Sequence, residues 1–272
     1  MPRAKSSPAN ARISPQETDQ ERGNWFATTL ARGLSLVEAF GPDDFWLGNA
    51  ELARRTGLTK PTVSRLSSTL IELGYLLRNA EGKFRPGVRL LALAYPVLRG
   101  FTIRQTARPL MAELARDIRG AVSIGTLDRT SLIFVETARG TEPHPLSPDV
   151  GGNAPLIQTA IGRALLAQLD VLSRQQVMDR TRRELPQLWK LYHVKAAQGI
   201  RDCAQRGFCL SLGDFNPNVH AVAVPLLTMK DGAALALNCG IPAYRLAPGQ
   251  LERDVAPRAL ALAANIRAIW NE

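Results

Sequence analysis

The sequence predicts an α+β chain in two parts. A helical N-terminal third ends in a hairpin, and a longer C-terminal part mixes strands with helices around an antiparallel sheet. Three observations carry this. Between residues 25 and 87 the order runs helix, helix, tight turn, helix, hairpin. After Gly120 the composition shifts to strand pairs closed by short turns at Asp128–Thr130 and Lys230–Gly232, with helical stretches among them, the pattern of an α+β domain. The chain has 272 residues and is 45% apolar, enough for two ordinary domains.

Composition excludes several classes. No apolar run approaches the roughly 20 residues that span a bilayer, and the basic start "MPRAKSSPANARISPQETDQERG" has no apolar h-region. A cytoplasmic protein without a membrane partner is expected. Cys203, Cys209 and Cys239 are an odd, dispersed set, and His144, His193 and His220 are scattered. Buried thiols are expected, with no disulfide framework, no metal site and no cofactor. The net charge of +10 favours polyanions through long-range attraction and counterion release, which needs a shaped surface to become a function.

Residues 1–24 are polar, rich in Ser, Pro, Ala and Arg, and aperiodic, so a disordered arm is expected, with Arg3, Lys5 and Arg12 able to touch DNA. Residues 25–87 form the first domain. Leu30, Leu34, Val37 and Phe40 recur at helical spacing until Gly41-Pro42. "NAELARRTG" reads as a second helix, with Asn49 as N-cap and Gly57 as its stop. A third helix starts at Lys60 behind a Thr59 cap, tolerates Pro61 in its first turn and ends at Gly74. "YLLRNAEGKFRPG" is a hairpin around "NAEG". This is the order of a winged helix-turn-helix.

On the third helix, Val63, Leu66, Leu70 and Leu73 fall in one stripe, with Ile71 on its flank, and form the expected core face. Opposite lie Pro61, Thr62, Ser64, Arg65, Ser68 and Thr69. Short hydroxyl side chains let a helix sit deep in a groove roughly 12 Å wide, and Arg65 can grip a guanine edge with two hydrogen bonds. Lys60 stands at the helix start, where the dipole favours phosphate. Arg54, Arg55, Lys83 and Arg85 are candidate backbone contacts, which position without specifying sequence. A solvated face is the plain alternative for a lone helix, and the trihelical order, the wing and the basic charge weigh against it.

Residues 88–100, "VRLLALAYPVLRG", read as a linker helix kinked or ended by Pro96. The C-terminal domain, 101–272, opens with "TIRQTARPLMAELARDIRG" as a helix. Two strands follow in "AVSIGTLDRTSLIFVETARG", then an extended or loop segment, "HPLSPDVGGNAPL". "QTAIGRALLAQL", "VLSRQQVMDRTRR" and "KAAQGIRDCAQRGF" are helices, "HAVAVPLLTM" and "AALALNCGI" strands, and the chain closes in a helix broken at Pro257.

"LARGLSLVEAF…NAELARRTGLTKPTVSRLSSTLIELGYL" resembles the DNA-binding half of the IclR family of bacterial transcription regulators. "RPGVRLLALA", "ARPLMAELA", "IQTAIGRALLA", "RGFCLSLGDFNPNVHAVAVPL" and "AALALNCGIPAYRL" are similar, in the same order, to successive segments of that family's effector domain. The resemblance implies an N-terminal winged helix-turn-helix, a helical linker and a C-terminal GAF-like effector-binding domain. It also implies a double-stranded DNA operator as partner, repression as the favoured sign, and self-association as a dimer or dimer of dimers. The effector would be a small organic acid. Carried over segment by segment, it points to Leu146, Thr159, Ala160, Ser211, Asp214, Val219, Ala221, Ala236 and Asn238 as effector contacts. Several positions that can be polar or thiol in the family are Ala or Val here, which points to a more apolar acid, aromatic or acyl.

Two other classes stay open on sequence. An enzyme on the C-terminal domain would need a nucleophile beside a base, and only Asp214 and His220 in "GDFNPNVH" suggest an acid/base pair. Taken singly, they read as a loop cap and a strand-edge polar residue. An architectural DNA binder without a ligand would show weak sequence preference and no pocket.

Overall fold

The computed structural model describes residues 26–141 and 148–271, so the expected N-terminal arm and the candidate Leu146 lie outside the described residues. The chain divides into two compact units at Gly100/Phe101.

The first unit contains three helices and a small wing. Helices α1 (Thr28–Glu38), α2 (Asn49–Thr56) and α3 (Lys60–Glu72) enclose Leu36, Leu47, Leu52, Val63, Leu66 and Phe84. Of the stripe read in α1, Leu30 and Leu34 are exposed, and Leu36 and Ala39 are buried instead. Asn49 is not the cap of α2 but its first residue. Gly48 holds the cap position, and the Asn49 amide reaches across to the Lys60 carbonyl at 3.3 Å. Gly57, at φ +71°, takes the left-handed turn that ends α2. Thr59 caps α3 as expected, its hydroxyl accepting from the Thr62 amide at 3.4 Å. The core face of α3 is Val63, Leu66, Ser67 and Leu70. Leu73, assigned to it from spacing, is 48% exposed where the helix has already ended. Strands β1 (Leu76–Arg78) and β2 (Phe84–Pro86) pair antiparallel as the wing, and Leu47 bridges to Phe84 as a further rung.

Helix α4 (Arg89–Gly100) runs through Pro96 without ending there, and it has no buried residue. Leu91, Leu93, Tyr95 and Val97 are each more than half exposed.

The second unit is a six-stranded antiparallel sheet in the order β5-β4-β3-β8-β7-β6. Its strands are β3 (Ala121–Asp128), β4 (Ser131–Arg139), β5 (Asn153–Pro155), β6 (Cys209–Leu212), β7 (Val219–Thr228) and β8 (Ala234–Pro242). Helices α5 (Ile103–Asp117) and α9 (Ala256–Asn271) cover one face over Val122, Ile124, Val222, Val224, Leu235 and Leu237. Helices α6 (Ala160–Gln168) and α8 (Pro186–Arg206) cover the other over Leu132, Phe134, Cys209, Ala223 and Ala236, with α7 (Val171–Glu184) outside them. Residues of alternate parity fill the two cores, as a sheet buried on both faces requires. Helix α8 begins nine residues before the expected start at Lys195, and β6 had no counterpart in the sequence reading. At the last helix the chain does not break at Pro257. A π-helical turn, Leu251–Val255, leads directly into α9, with the Ala256 amide donating to the Leu251 carbonyl.

The start of α6 is held close to the segment before it. A Cβ on Gly162 would run into the backbone of Leu156. Gly162→Ala is therefore expected to lower the stability of this unit by about 1–3 kcal/mol through overpacking, readable as a shift of the urea midpoint with an unchanged slope.

Candidate DNA-reading face and effector site

Helix α3 presents Lys60, Pro61, Ser64, Arg65, Ser68 and Thr69 on its exposed side, with Thr62 half-buried. Ser68 and Thr69 donate back to the carbonyls of Ser64 and Arg65, at 3.0 and 3.3 Å, leaving oxygen lone pairs outward. The Arg65 guanidinium has no partner among the described residues. In the wing, Arg85 stacks on Trp46 at 5.1 Å and Lys83 pairs with Glu81 at 2.8 Å. Arg78, exposed at the end of β1, was not singled out from sequence although it adjoins the "NAEG" turn.

Arg54 and Arg55 have different environments. Arg54 is exposed and grips Glu51 with two hydrogen bonds, at 2.5 and 2.8 Å. Arg55 is half-buried and occupied internally. It bonds Glu51, Asp44 and the Ala39 carbonyl, tying α2 to the end of α1 and the loop between them. Its charge is already matched, so its geometry is that of a brace. Hydrogen bonds from Arg54 and then Arg55 hold the Glu51 carboxyl down at about 2, and Arg55 lowers Asp44. A carboxyl depressed in the folded state contributes stability above its unfolded value of about 4, and loses it as pH falls. The melting temperature of the reading head is expected to drop between pH 5 and pH 2, roughly, as these two carboxyls protonate. Far-UV circular dichroism melts would show this, and Glu51→Gln should flatten the drop.

In the second unit the effector candidates assemble around the start of α6. Thr159 is its N-cap, with its hydroxyl accepting from the Gly162 amide at 3.2 Å and donating to the Pro155 carbonyl at 2.9 Å. Ala160 is buried beside it, and its carbonyl accepts from the Cys209 thiol at 3.3 Å. The hydrogen bond with Cys203, and then burial, raise the Cys209 thiol well above its ordinary value, so it is a neutral donor there. Directly opposed residues share a face of a sheet. The pairs Ser211↔Ala221, Ala221↔Gly240 and Ala223↔Asn238 therefore put Ser211, Ala221 and Asn238 on the α6 face, together with Ala236. Val219 lies on the same face, against Gly240. Eight of the nine candidates are thus described, and seven of them gather on one side of the sheet.

Asp214, in the loop after β6, also packs against α6 and α8, but its polar groups are committed within the chain. Both its carboxylate oxygens are taken, by Arg163 at 2.7 Å and Lys195 at 2.5 Å. Its backbone carbonyl accepts from Gln158 at 2.8 Å and from Tyr192 at 3.0 Å. Burial works to raise the Asp214 carboxyl, and the hydrogen bonds from Lys195 and Arg163 outweigh it, leaving the pKa below its ordinary value. Arg163, 3% exposed, also donates to the carbonyls of Ile157 and Leu210. The sequence reading missed it because a buried arginine inside an apolar helix looks like a surface charge. His220 is half-buried on β7 and paired with Ile241 on the opposite face parity from Ala221, so it does not meet Asp214 through the sheet. Among the described residues no group of three or more His, Cys, Asp or Glu could hold a metal, and no helix is long and apolar enough to cross a membrane.

A bare reading helix beside a wing, followed by a sheet domain with small and polar side chains gathered at a helix start, defines a DNA-binding transcription regulator. Residues 29–80 match the IclR helix-turn-helix domain and residues 96–268 match the bacterial transcriptional regulator IclR C-terminal domain, and the chain belongs to the IclR family. It is 31% identical over 252 residues to the HTH-type transcriptional regulator TsaQ1/TsaQ2 of Comamonas testosteroni, covering 92% of this chain and 90% of that one. A crystal structure of an IclR-family regulator from Brucella abortus shares 34% identity, with a TM-score of 0.80 over 97% of this chain and 99% of the other. An IclR homolog from Microbacterium hydrocarbonoxydans, solved in complex with 4-hydroxybenzoate, is 22% identical with a TM-score of 0.65, over 88% of this chain and 99% of its own, and shares the fold.

Proposed function

We propose that the chain is a ligand-responsive regulator that binds a palindromic operator as a dimer, its affinity set by an aromatic or other largely apolar organic acid. The parts would be a DNA-binding domain over 25–87, a linker helix over 88–100 and a GAF-like effector domain over 101–272. The observation that carries the DNA half is the unpaired Arg65 on the exposed side of α3. Lys60, Pro61, Thr62, Ser64, Ser68 and Thr69 share that side, and Arg54, Lys83, Arg85 and Arg78 supply phosphate contacts around it. Arg55 and Asp214 serve as internal braces in this reading.

Dimerisation rests on α1 and α4. A 12-residue helix with no buried residue is too short to persist in water alone. Leu30 and Leu34 of α1, with Leu91, Leu93, Tyr95 and Val97 of α4, are the apolar side chains a second copy would cover. Two reading helices on such a dimer meet half-sites about one or two helical turns apart.

The effector would place its carboxylate at the start of α6, where Thr159 already uses the Gly162 amide and those of Ala160 and Ile161 have no acceptor among the described residues. The apolar body would lie over Ala221, Val219 and Ala236. Repression is the favoured sign, with the acid shifting the population between two spacings of the reading helices, and the protein works in the cytoplasm.

Selection of a binding site from random duplexes, followed by titration with 4-hydroxybenzoate and related acids in gel shifts, tests this. The expected result is one palindromic site whose affinity changes several-fold with acid. Thr159→Trp should bind that DNA normally and lose the response. A footprint without sequence preference, or a response unchanged in the variant, would overturn the reading.

A further inference from the structure

Two arginines of the first unit, Arg85 and Arg89, are each laid on an aromatic ring, and neither spends its charge on a carboxylate. Leu47 and Phe84 exchange backbone hydrogen bonds, both 2.8 Å, as an antiparallel pair, which places Trp46 directly opposite Arg85. Arg85 in turn opposes Leu77 on β1. Leu47, Leu76 and Phe84 are buried, so by strand alternation Trp46, Arg85 and Leu77 share the outer face of the wing. The Gly87 amide donates to the Tyr75 carbonyl at 2.9 Å and carries the ladder one rung further. Tyr75 therefore stands on that same face, about 7 Å along the strand from Leu77.

The Arg85 guanidinium lies over the Trp46 ring at 5.1 Å and the Arg89 guanidinium over Tyr75 at 5.6 Å, both within the roughly 6 Å reach of cation–π attraction. The stem of Arg89 passes Gly74, whose Cβ position lies 3.5 Å from Arg89 Cδ. A ring takes the flat face of a guanidinium and leaves the N–H donors at its edge. Arg85 and Arg89 are exposed, and neither makes a hydrogen bond or ion pair among the described residues. Arg54 and Lys83 differ, since each already faces a carboxylate, Glu51 or Glu81. A cation that is held in place and not neutralised suits a phosphate. The stack reduces the ordering lost on binding, and the uncancelled charge displaces a counterion.

Resting on the DNA-binding reading above, we infer that Arg89 is a second DNA-backbone contact beside Arg85, and that Trp46 and Tyr75 are positioning residues that hold the two guanidiniums edge-out toward phosphate. These contacts carry no sequence information. They fix the register in which α3 meets the bases.

The test is binding of the full-length protein to its selected duplex across a salt series, read by fluorescence anisotropy. Arg85→Ala and Arg89→Ala should each weaken binding several-fold on every sequence alike and lower the slope of log K against log salt by about 0.9. Both should melt near wild type, since neither side chain makes an internal hydrogen bond. Trp46→Leu should weaken binding when Arg85 is present and add little in the Arg85→Ala protein, and Tyr75→Leu should depend on Arg89 in the same way. Trp46→Phe and Tyr75→Phe, which keep an aromatic face, should recover most of the loss. Unchanged affinity and slope in either arginine variant would overturn the paired backbone site. Leucine variants that weaken binding equally with and without the arginine would overturn the positioning role. A wild type that selects no duplex would overturn the DNA-binding reading, and this inference with it.

Discussion

Arg65→Ala is expected to weaken operator binding by about 1–3 kcal/mol, roughly fivefold to 150-fold, and to flatten sequence preference at one base pair in each half-site. The reason is what surrounds the guanidinium. It projects from the exposed side of α3 with no partner among the described residues, so no internal interaction is lost when it goes. The neighbouring hydroxyls of Ser64, Ser68 and Thr69 are short and leave the helix slim enough to approach base edges. Competition gel shifts against duplexes altered at single positions would read the effect, with melting of the variant expected to match wild type. Uniform weakening across all sequences would instead put Arg65 on a phosphate. Arg55→Ala makes the contrast. It leaves Asp44 and Glu51 without their shared partner, so it should lower stability before it touches specificity.

How far the sequence anticipates this structure depends on which force decides each element. The order of helices and wing is legible because caps and breakers are local: Thr59 before α3, Gly57 after α2, and the "NAEG" turn each act within a few residues. The two long hairpins are legible for the same reason. Which face of a helix is buried is less legible. Leu30, Leu34 and the apolar side of α4 have the spacing of a core and stand exposed, because periodicity records that a face is apolar and not what covers it. Strand β6, "CLSL", is too short to announce alternation, and it exists because β7 offers it an edge. Helix α8 begins with "PQLWKLYHV", whose aromatics sit at the margin of the second core, so its first turns lack a clear stripe. The effector candidates came from resemblance, and the sheet register shows why five of them, Ser211, Val219, Ala221, Ala236 and Asn238, share a face. The hydrogen bond from the Thr137 hydroxyl to Ser123 Oγ, at 3.1 Å, is invisible in sequence, since the two residues lie 14 apart on different strands and only pairing aligns them.

Asp214→Ala is expected to cost the second unit about 3–5 kcal/mol, the usual result of stranding a buried charge. Arg163 and Asp214 are 3% and 7% exposed at their side chains, and the arginine has no route to water while its stem passes the bare backbone of Gly199. Removing the carboxylate leaves the guanidinium inside, and Lys195, half-exposed, swings out to solvent without replacing it. The double variant Arg163→Met/Asp214→Leu should recover part of the loss, because a hydrophobic pair of similar volume avoids both desolvation penalties. It should not recover all of it. The carbonyls of Ile157 and Leu210 accept from Arg163 at 3.1 and 3.0 Å and would be left bare, at about 1–3 kcal/mol for each one that stays buried. Urea unfolding of wild type, Arg163→Met, Asp214→Leu and the double gives the coupling directly. A double variant no better than Asp214→Ala would mean that the arginine serves those carbonyls more than the carboxylate. The pair would then be a clamp on the loop after β6, set against the α6 start where the acid is proposed to bind, and the Asp214→Asn protein would keep its stability while losing its grip on that loop.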